Sequence, residues 1–401
     1  MFNNTSRTTF IQMNSRNKIV ISSLVIGILV VSGITLGVVL PKVLRDKYPT
    51  DSKLVFFNSN QNLAIINASQ FNSITEQTLS INLLEFMTYL SINSFDQISV
   101  ISEIDNSTEL YYSDLDAAIL SIGEHGFQLS VNDITIYSIS GIAIDFIHFS
   151  VDIAPTIYQT LEFDNWETVG STINFTNNTG ISKAVIILLD SFGWRFWHNL
   201  STLGIIDLNL NILYNQPGLT AYPSITNVAT ASILTGYWPA DTSISSRQDH
   251  TLNKPSIFDV ASANGVVTEI IEGNIGFINI NADHESWLPD YNGNGTNDDE
   301  IYYEAIDSLS NNRSELLFIH FHGIDDIGHT YGPYSSEWNT KVKQTCAYVN
   351  NLMNYIDNET IVILTADHGM HINDSPEDYR VGVHGESIWE DMVIPLIIAR
   401  K

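Results

Sequence analysis

The stretch "TIVILTADHGMHI", residues 360–372, closes an apolar run with an acid and an imidazole side by side, Asp367 and His368. Read alone, the pair is either a polar turn or two ligands aimed at a cation. Carboxylate oxygens with imidazole nitrogens suit zinc, with manganese and iron as competitors. In "GIDDIGHTYGP", Asp325 and His329 stand four apart, and Gly328 permits a tight turn between them. Asp326 stands three before His329 and competes with Asp325 for the same role. "VGVHGES" sets His384 among small residues, where backbone can approach closely. "YPSITNVATASILTG" reads after Thr226 as a short helix stopped by Gly236, with Pro239 beyond. Helix N-termini favour negative charge. A threonine there either caps the helix or, if a cation lowers its pKa, becomes an alkoxide nucleophile.

Such groups need elements that bring them to one place. From Lys183 onward, strand-like runs alternate with helical stretches: "AVIILLD", "VTEIIEG", "LLFIHFHGID", "TIVILTAD" and "MVIPLIIAR". Near-continuous apolar runs suit strands buried on both faces, so this part is expected to be an α/β fold with a mostly parallel sheet. Ligands in such folds gather at the carboxyl ends of the strands. Three of those runs lead into an aspartate at that edge: Asp190, Asp325 and Asp367.

Taken in order, Asp190 after a strand, Thr226 before a helix, "DDIGH", "TADHGM" and "VHGE" resemble a known family. It is the type I phosphodiesterase and nucleotide pyrophosphatase branch of the alkaline phosphatase superfamily. The resemblance covers about Ala184 to Ala399 and fills all seven ligand and nucleophile positions. It implies an alkaline-phosphatase-like doubly wound α/β sandwich with two divalent metal ions, usually zinc. One ion would be held by Asp190, Asp367, His368 and Thr226, the other by Asp325, His329 and His384. Two cations about 4 Å apart stabilise the attacking and leaving oxygens of an in-line phosphoryl displacement. Thr226 would form a phosphothreonine and water would release it, hydrolysing phosphodiester or phosphoanhydride bonds. Members acting on nucleotides often carry an asparagine downstream of the nucleophile, where "TSISSRQDH" has Arg247. A guanidinium there contacts a phosphate oxygen and favours more highly charged esters, or else pairs with Asp249.

"GIDDIGHTYGP" is also similar to the lipid-anchor ethanolamine-phosphate transferases, so a phosphoethanolamine-type transferase or phospholipid-head hydrolase is the alternative. A non-catalytic surface binding protein on the same fold is the alternative from another class, although such proteins typically lose ligands. The only cysteine, Cys346, stands outside any sulfatase-like motif, which argues against a sulfatase. The expected substrate is a small phosphate ester, nucleotide or lipid-derived.

Elsewhere, "DYNGNGTNDDE" sets Asp290, Asn292, Asn294 and Asp298 like the start of a calcium loop, although Ile301 replaces the glutamate expected at its end. A polar surface loop is the other reading. His320 and His322 alternate on strand-like sequence and are expected to be packed or to support a ligand rather than be ligands. His371 is a candidate pocket residue. Trp338, Val342, Val349, Leu352 and Ile356 are spaced as a core-facing helix stripe that includes Cys346.

The chain has 401 residues, 44% of them hydrophobic, enough for one large domain or two medium ones. Its net charge of −28 argues against nucleic acid. A single cysteine excludes an internal disulfide. Residues 1–18 are a short basic tail. Ile19 to Leu40 are uncharged and long enough for a transmembrane signal-anchor helix. Arg7, Arg16 and Lys18 before the span are matched by Lys42, Arg45 and Lys47 after it, so charge gives no orientation. The expectation is a single-pass cell-membrane protein with its catalytic domain extracytoplasmic. Residues 50–155 form an accessory α+β or β-rich module, in which "DITIYSISGIAIDFIHFSV" looks like paired strands turning near Gly141. The catalytic domain is expected over residues 183–401.

Overall fold

The computed structural model describes residues 52–401 except 76–79, 93–94, 96, 103–105, 112–117, 124–125, 132–133, 177–178, 274–276 and 376–378. The basic tail and the expected membrane helix Ile19–Leu40 lie outside the described residues. Among the described residues, no helix is long and apolar enough to cross a membrane.

The first half builds an eight-stranded sheet from β1 (Lys53–Phe57), β2 (Asn62–Asn67), β3 (Ser80–Asn82), β4 (Gln97–Ser102), β5 (Asn106–Tyr111), β6 (Ile119–Gly123), β7 (Gly126–Val131) and β8 (Ile134–Ile144). Helices α1 (Ala68–Ile74) and α2 (Leu83–Tyr89) contribute Phe71, Phe86 and Met87 to the core of this sheet. One expectation is corrected here. The segment around Gly141 is not a hairpin but the single strand β8, which pairs with β7 through its first half and with β1 and β4 through its second. Gly141 marks a close approach instead: a Cβ there would come within 3.2 Å of Ser387.

The second sheet has seven strands: β9 (Lys183–Leu189), β10 (Asn211–Leu219), β11 (Thr268–Glu272), β12 (His284–Trp287), β13 (Leu316–Phe321), β14 (Thr360–Thr365) and a last strand, Val393–Arg400. A separate ribbon pairs β15 (His371–Ile372) with β16 (Gly382–Val383), so the last strand is β17. The order is β10-β17-β14-β9-β13-β11-β12. Strands β14, β9, β13, β11 and β12 run parallel, and β17 alone is reversed against its neighbours. Every residue of β13 and β14 is buried, as required where helices cover both faces. Those helices include α3 (Ile153–Thr160), α4 (Trp194–Thr202), α5 (Thr226–Thr235), α6 (Ile257–Ala263), α7 (Asp298–Asn311), α8 (Gly323–Tyr331) and α9 (Ser336–Leu352). The stripe on α9 is core: Trp338, Val342, Cys346, Val349 and Leu352 are all buried.

The two sheets share apolar contacts. Val55, Phe57, Ile101 and Ala143 of the first cluster with Leu219, Ile388, Met392 and Val393 of the second. Polar ties join the same surfaces. Ser387 Oγ donates to Ser140 O (2.9 Å), Trp389 N to Asn62 Oδ1 (3.0 Å), and Asn62 Nδ2 to Glu390 Oε2 (2.8 Å).

Candidate metal centre

Strand register sets the site. Leu189 of β9 lies opposite Phe321 of β13, and Leu188 lies opposite Thr365 of β14. Asp190, His322 and Asp367 therefore emerge together at the carboxyl edge of three adjacent parallel strands. The next residue, Ser191, takes φ 60°, an uncommon conformation outside glycine that bends the chain across this edge. Its N–H donates to Asp367 Oδ1 (3.1 Å), and its hydroxyl donates to Asp325 Oδ1.

Asp190, Asp367 and His368 each bring one ligand atom within 4.8 Å of the others. His368 Nδ1 is bonded to Gly369 O (2.9 Å), which turns Nε2 toward Asp367 Oδ2 (3.1 Å) and Asp190 Oδ1 (3.6 Å). Neither of those two buried oxygens has an aligned hydrogen-bond donor. An unsatisfied buried acceptor costs about 1–3 kcal/mol. Two of them around one imidazole nitrogen suit a cation, so the residues fit the metal that the sequence implies.

Asp325, His329 and His384 form a second such group. Helix α8 places Asp325 and His329 one turn apart, with His329 Nε2 at 3.2 Å from Asp325 Oδ2. His329 Nδ1 donates to Gly382 O (2.8 Å), and His384 Nδ1 donates to Ser224 O (2.9 Å). These bonds leave each Nε2 facing Asp325, as backbone partners of metal-binding histidines generally do. The ribbon reaches α8 only because residue 382 is glycine; a Cβ there would meet Gly328 O at 2.5 Å. Asp326, the competing acid, is exposed. The rings of His368 and His384 stack at 3.8 Å, so the two groups adjoin.

Thr226 is the first residue of α5, and the capping position belongs to Ile225, which has no capping side chain. Its hydroxyl therefore caps nothing and lies 3.3 Å from His368 Nε2. Gly236 ends the helix at φ 73°, as its sequence suggests. Arg247 Nη2 reaches to 3.3 Å from His384 Nε2. Asp249 is occupied within its own loop, accepting from Ser245 N and from the hydroxyls of Ser245 and Ser246. Asn227, beside Thr226, fastens that loop by donating to Ser246 O (2.7 Å) and Asp249 O (2.8 Å).

Electrostatics divide the imidazoles. Burial and the neighbouring His368 push His384 down to about 3, so it stays neutral with a lone pair to offer. Burial also works against charge on His368, but Asp367, Asp190 and Asp325 outweigh it and raise it to about 10. Burial opposes ionisation of Asp325 as well, yet His329, His384 and His368 hold it well below the usual carboxylate range.

Other expected residues fall elsewhere. Asp290, Asn292 and Asn294 share one surface loop, where Asp290 accepts from the N–H groups of residues 293 and 294. Asp298 does not join them. Its fully buried carboxylate accepts from Gly323 N (2.9 Å) and Thr345 Oγ1 (2.8 Å), so the calcium set is not assembled. His371 is held by the buried Asp391 through Nδ1 (2.8 Å). His320 and His322 lie behind Asp190 and both contact Glu272, which the sequence reading passed over. The signal was present: "VTEIIEG" also ends its strand on an acid.

Parts of the chain are recognisable in other proteins. Over 78 residues, 20% of its length, the chain is 31% identical to GPI ethanolamine phosphate transferase 3, catalytic subunit, of Mus musculus. Over 84 residues it is 36% identical to GPI ethanolamine phosphate transferase 2 of Yarrowia lipolytica. The chain spans only 7% and 9% of the lengths of those two proteins. Among solved structures, it is similar to murine ectonucleotide pyrophosphatase / phosphodiesterase 5 at 13% identity and TM-score 0.44, covering 54% of this chain and 87% of that one. A phosphonoacetate hydrolase of Sinorhizobium meliloti 1021 is similar at 14% identity and TM-score 0.39, over 49% and 58% of the two chains. The description that matches most of the site is type I phosphodiesterase / nucleotide pyrophosphatase, over residues 184–384. That match takes in half of the chain, with Asp190, Thr226, Asp367 and His384 inside it, and the chain belongs to this family.

Proposed function

We propose that the protein hydrolyses phosphodiester or phosphoanhydride bonds through a covalent phosphothreonine at Thr226. One observation carries the reading: the Thr226 hydroxyl, free of any capping role at a helix N-terminus, lies against His368 beside two adjoining ligand groups. Asp190, Asp367, His368 and Thr226 would hold one divalent cation, and Asp325, His329 and His384 another. Zinc suits the donors best, with manganese or iron as competitors. Bound there, the pair would lower the pKa of the attacking hydroxyl and neutralise charge on the leaving oxygen.

Thr226 Oγ1 forms a bond to phosphorus as the bond to the leaving oxygen breaks. Water then cleaves the P–Oγ1 bond, restoring the threonine and releasing the phosphate product. The first N–H groups of α5 point at the transferring group and favour its negative charge. Arg247, poised over His384, donates to a phosphate oxygen, and Ser191 holds Asp367 and Asp325 in register. Full-length protein in detergent, assayed on bis-p-nitrophenyl phosphate, should lose at least a thousandfold in rate with Thr226→Ala or with chelator. Full activity of the Ala variant would sink the mechanism.

The local likeness to the ethanolamine phosphate transferases favours a second reading, in which an acceptor hydroxyl replaces water in the second step. The acceptor would then raise turnover and appear phosphorylated in the product; release of free phosphoester alone argues for hydrolysis. Ile19–Leu40 would anchor the chain with the centre outside the cytoplasm. Protease added to intact cells should degrade residues 52–401, and complete protection would reverse the orientation.

A further inference from the structure

We propose a third cation site behind the centre, held by His320 Nε2, His322 Nδ1 and Asp190 Oδ2, with Glu272 orienting both imidazoles. Glu272 ends β11 and is fully buried. The register of β11 and β13 pairs Ile271 with Ile319, which sets Glu272 beside His320. On the other flank of β13, the register with β9 sets Asp190 beside His322. The two imidazoles, on one face of the chain, are thus sandwiched between two buried carboxylates, with their rings 3.8 Å apart.

Glu272 uses both oxygens. His320 Nδ1 donates to Oε2 (2.7 Å) and His322 Nε2 donates to Oε1. In its neutral form each imidazole would keep a lone pair on its remaining nitrogen, and both of these nitrogens lie nearest the same oxygen. His320 Nε2 lies 3.6 Å and His322 Nδ1 3.3 Å from Asp190 Oδ2. His320 Nε2 is completely buried and has no hydrogen-bond partner. Three electron-pair donors facing one another in a buried cluster repel unless positive charge lies among them. All three lie within 4.8 Å of one another. Ligand atoms about 2.0–2.1 Å from a tetrahedral zinc stand about 3.4 Å apart, so these spacings suit that ion. A carboxylate behind each coordinating histidine is the usual way a protein fixes tautomer and ring orientation at a metal.

Glu272 and Asp190 bring two negative charges to the cluster, the second shared with the neighbouring group, and a divalent cation offsets them. Two nitrogens and one oxygen select a zinc-like transition ion over magnesium or calcium. Asp190 would bridge, because its other oxygen, Oδ1, faces His368 at 3.6 Å. The inference does not depend on the phosphoryl-transfer reading. The competing occupant is a proton, which would turn the cluster into a buried ion pair.

The test is the zinc content and the anomalous scattering at the zinc edge of full-length protein equilibrated with zinc. A peak bonded to His320, His322 and Asp190 is expected, besides any at the neighbouring groups. His322→Leu should remove one zinc per chain. Glu272→Gln, of nearly equal volume, should weaken that one ion by about 10- to 100-fold. Circular dichroism identifies a variant that fails to fold, and the wild-type peak decides the matter without any variant. No density at that position, with zinc in the medium, overturns the proposal and leaves a proton there. Empty neighbouring groups would instead count against the two-cation hydrolase, whichever way this position reads.

Discussion

Loading a cation onto Asp190, Asp367 and His368 has to expel a proton. In the metal-free protein the surrounding carboxylates keep His368 protonated up to about pH 10, whereas His384 has lost its proton by about pH 3. At pH 7.5 His368 must therefore deprotonate before it can coordinate, whereas His384 is ready. Zinc titrated calorimetrically in buffers of different ionisation enthalpy should show about one proton released for the first site, and about none with His368→Ala. Equal proton release in wild type and variant would contradict this assignment. Local cues (a helix start, a four-residue spacing, flanking glycines) made Thr226, Asp325 and His384 candidates, and only the order of the motifs, through the family it resembles, gave them roles. Ser191 carried no cue at all, and Glu272 only that of an acid ending a strand. Their roles depend on which residue lies across the sheet, and that register is written in no local stretch. Asp298 shows the converse error, a loop-like pattern whose acid turns inward to bond the start of α8.

At the scale of elements, the loop bearing Arg247 is held to α5 by Asn227, so the proposed phosphate contact and the proposed nucleophile are mechanically linked. Removing a charge-assisted contact costs about 1.5–3 kcal/mol. Arg247→Ala should then lower kcat/KM by about 10- to 100-fold on a doubly charged ester, with less effect on a singly charged one. Asn227→Ala should show a weaker version of the same pattern. Equal losses on both esters would mean that Arg247 supports the loop rather than reading charge. The parallel strands were legible because residues buried on both faces leave unbroken apolar runs. Strand β8 was not: Gly141 looks like a turn, but it marks where backbone passes close to Ser387.

For the whole molecule, the first sheet has a core of its own and yet lends Val55, Phe57, Ile101 and Ala143 to the surface that supports residues 387–393. Just before that segment stands His384. We expect a chain starting at residue 146 to expose this cluster and to aggregate or to bind less metal at Asp325, His329 and His384. Soluble protein with an unchanged metal content would show that the first sheet is dispensable.

The hydrogen bond from Asn62 to Glu390 joins residues 328 apart in sequence. Contacts of such long range slow folding, because the intervening chain must be ordered before they form. During synthesis the first sheet leaves the ribosome long before its partner surface exists, with an apolar face uncovered in the meantime. The segment next to His384 meets that support only once residues 387–393 have been made. Premature termination near the end of the chain should therefore leave a folded N-terminal sheet attached to an unfinished centre, and a ready client for chaperones.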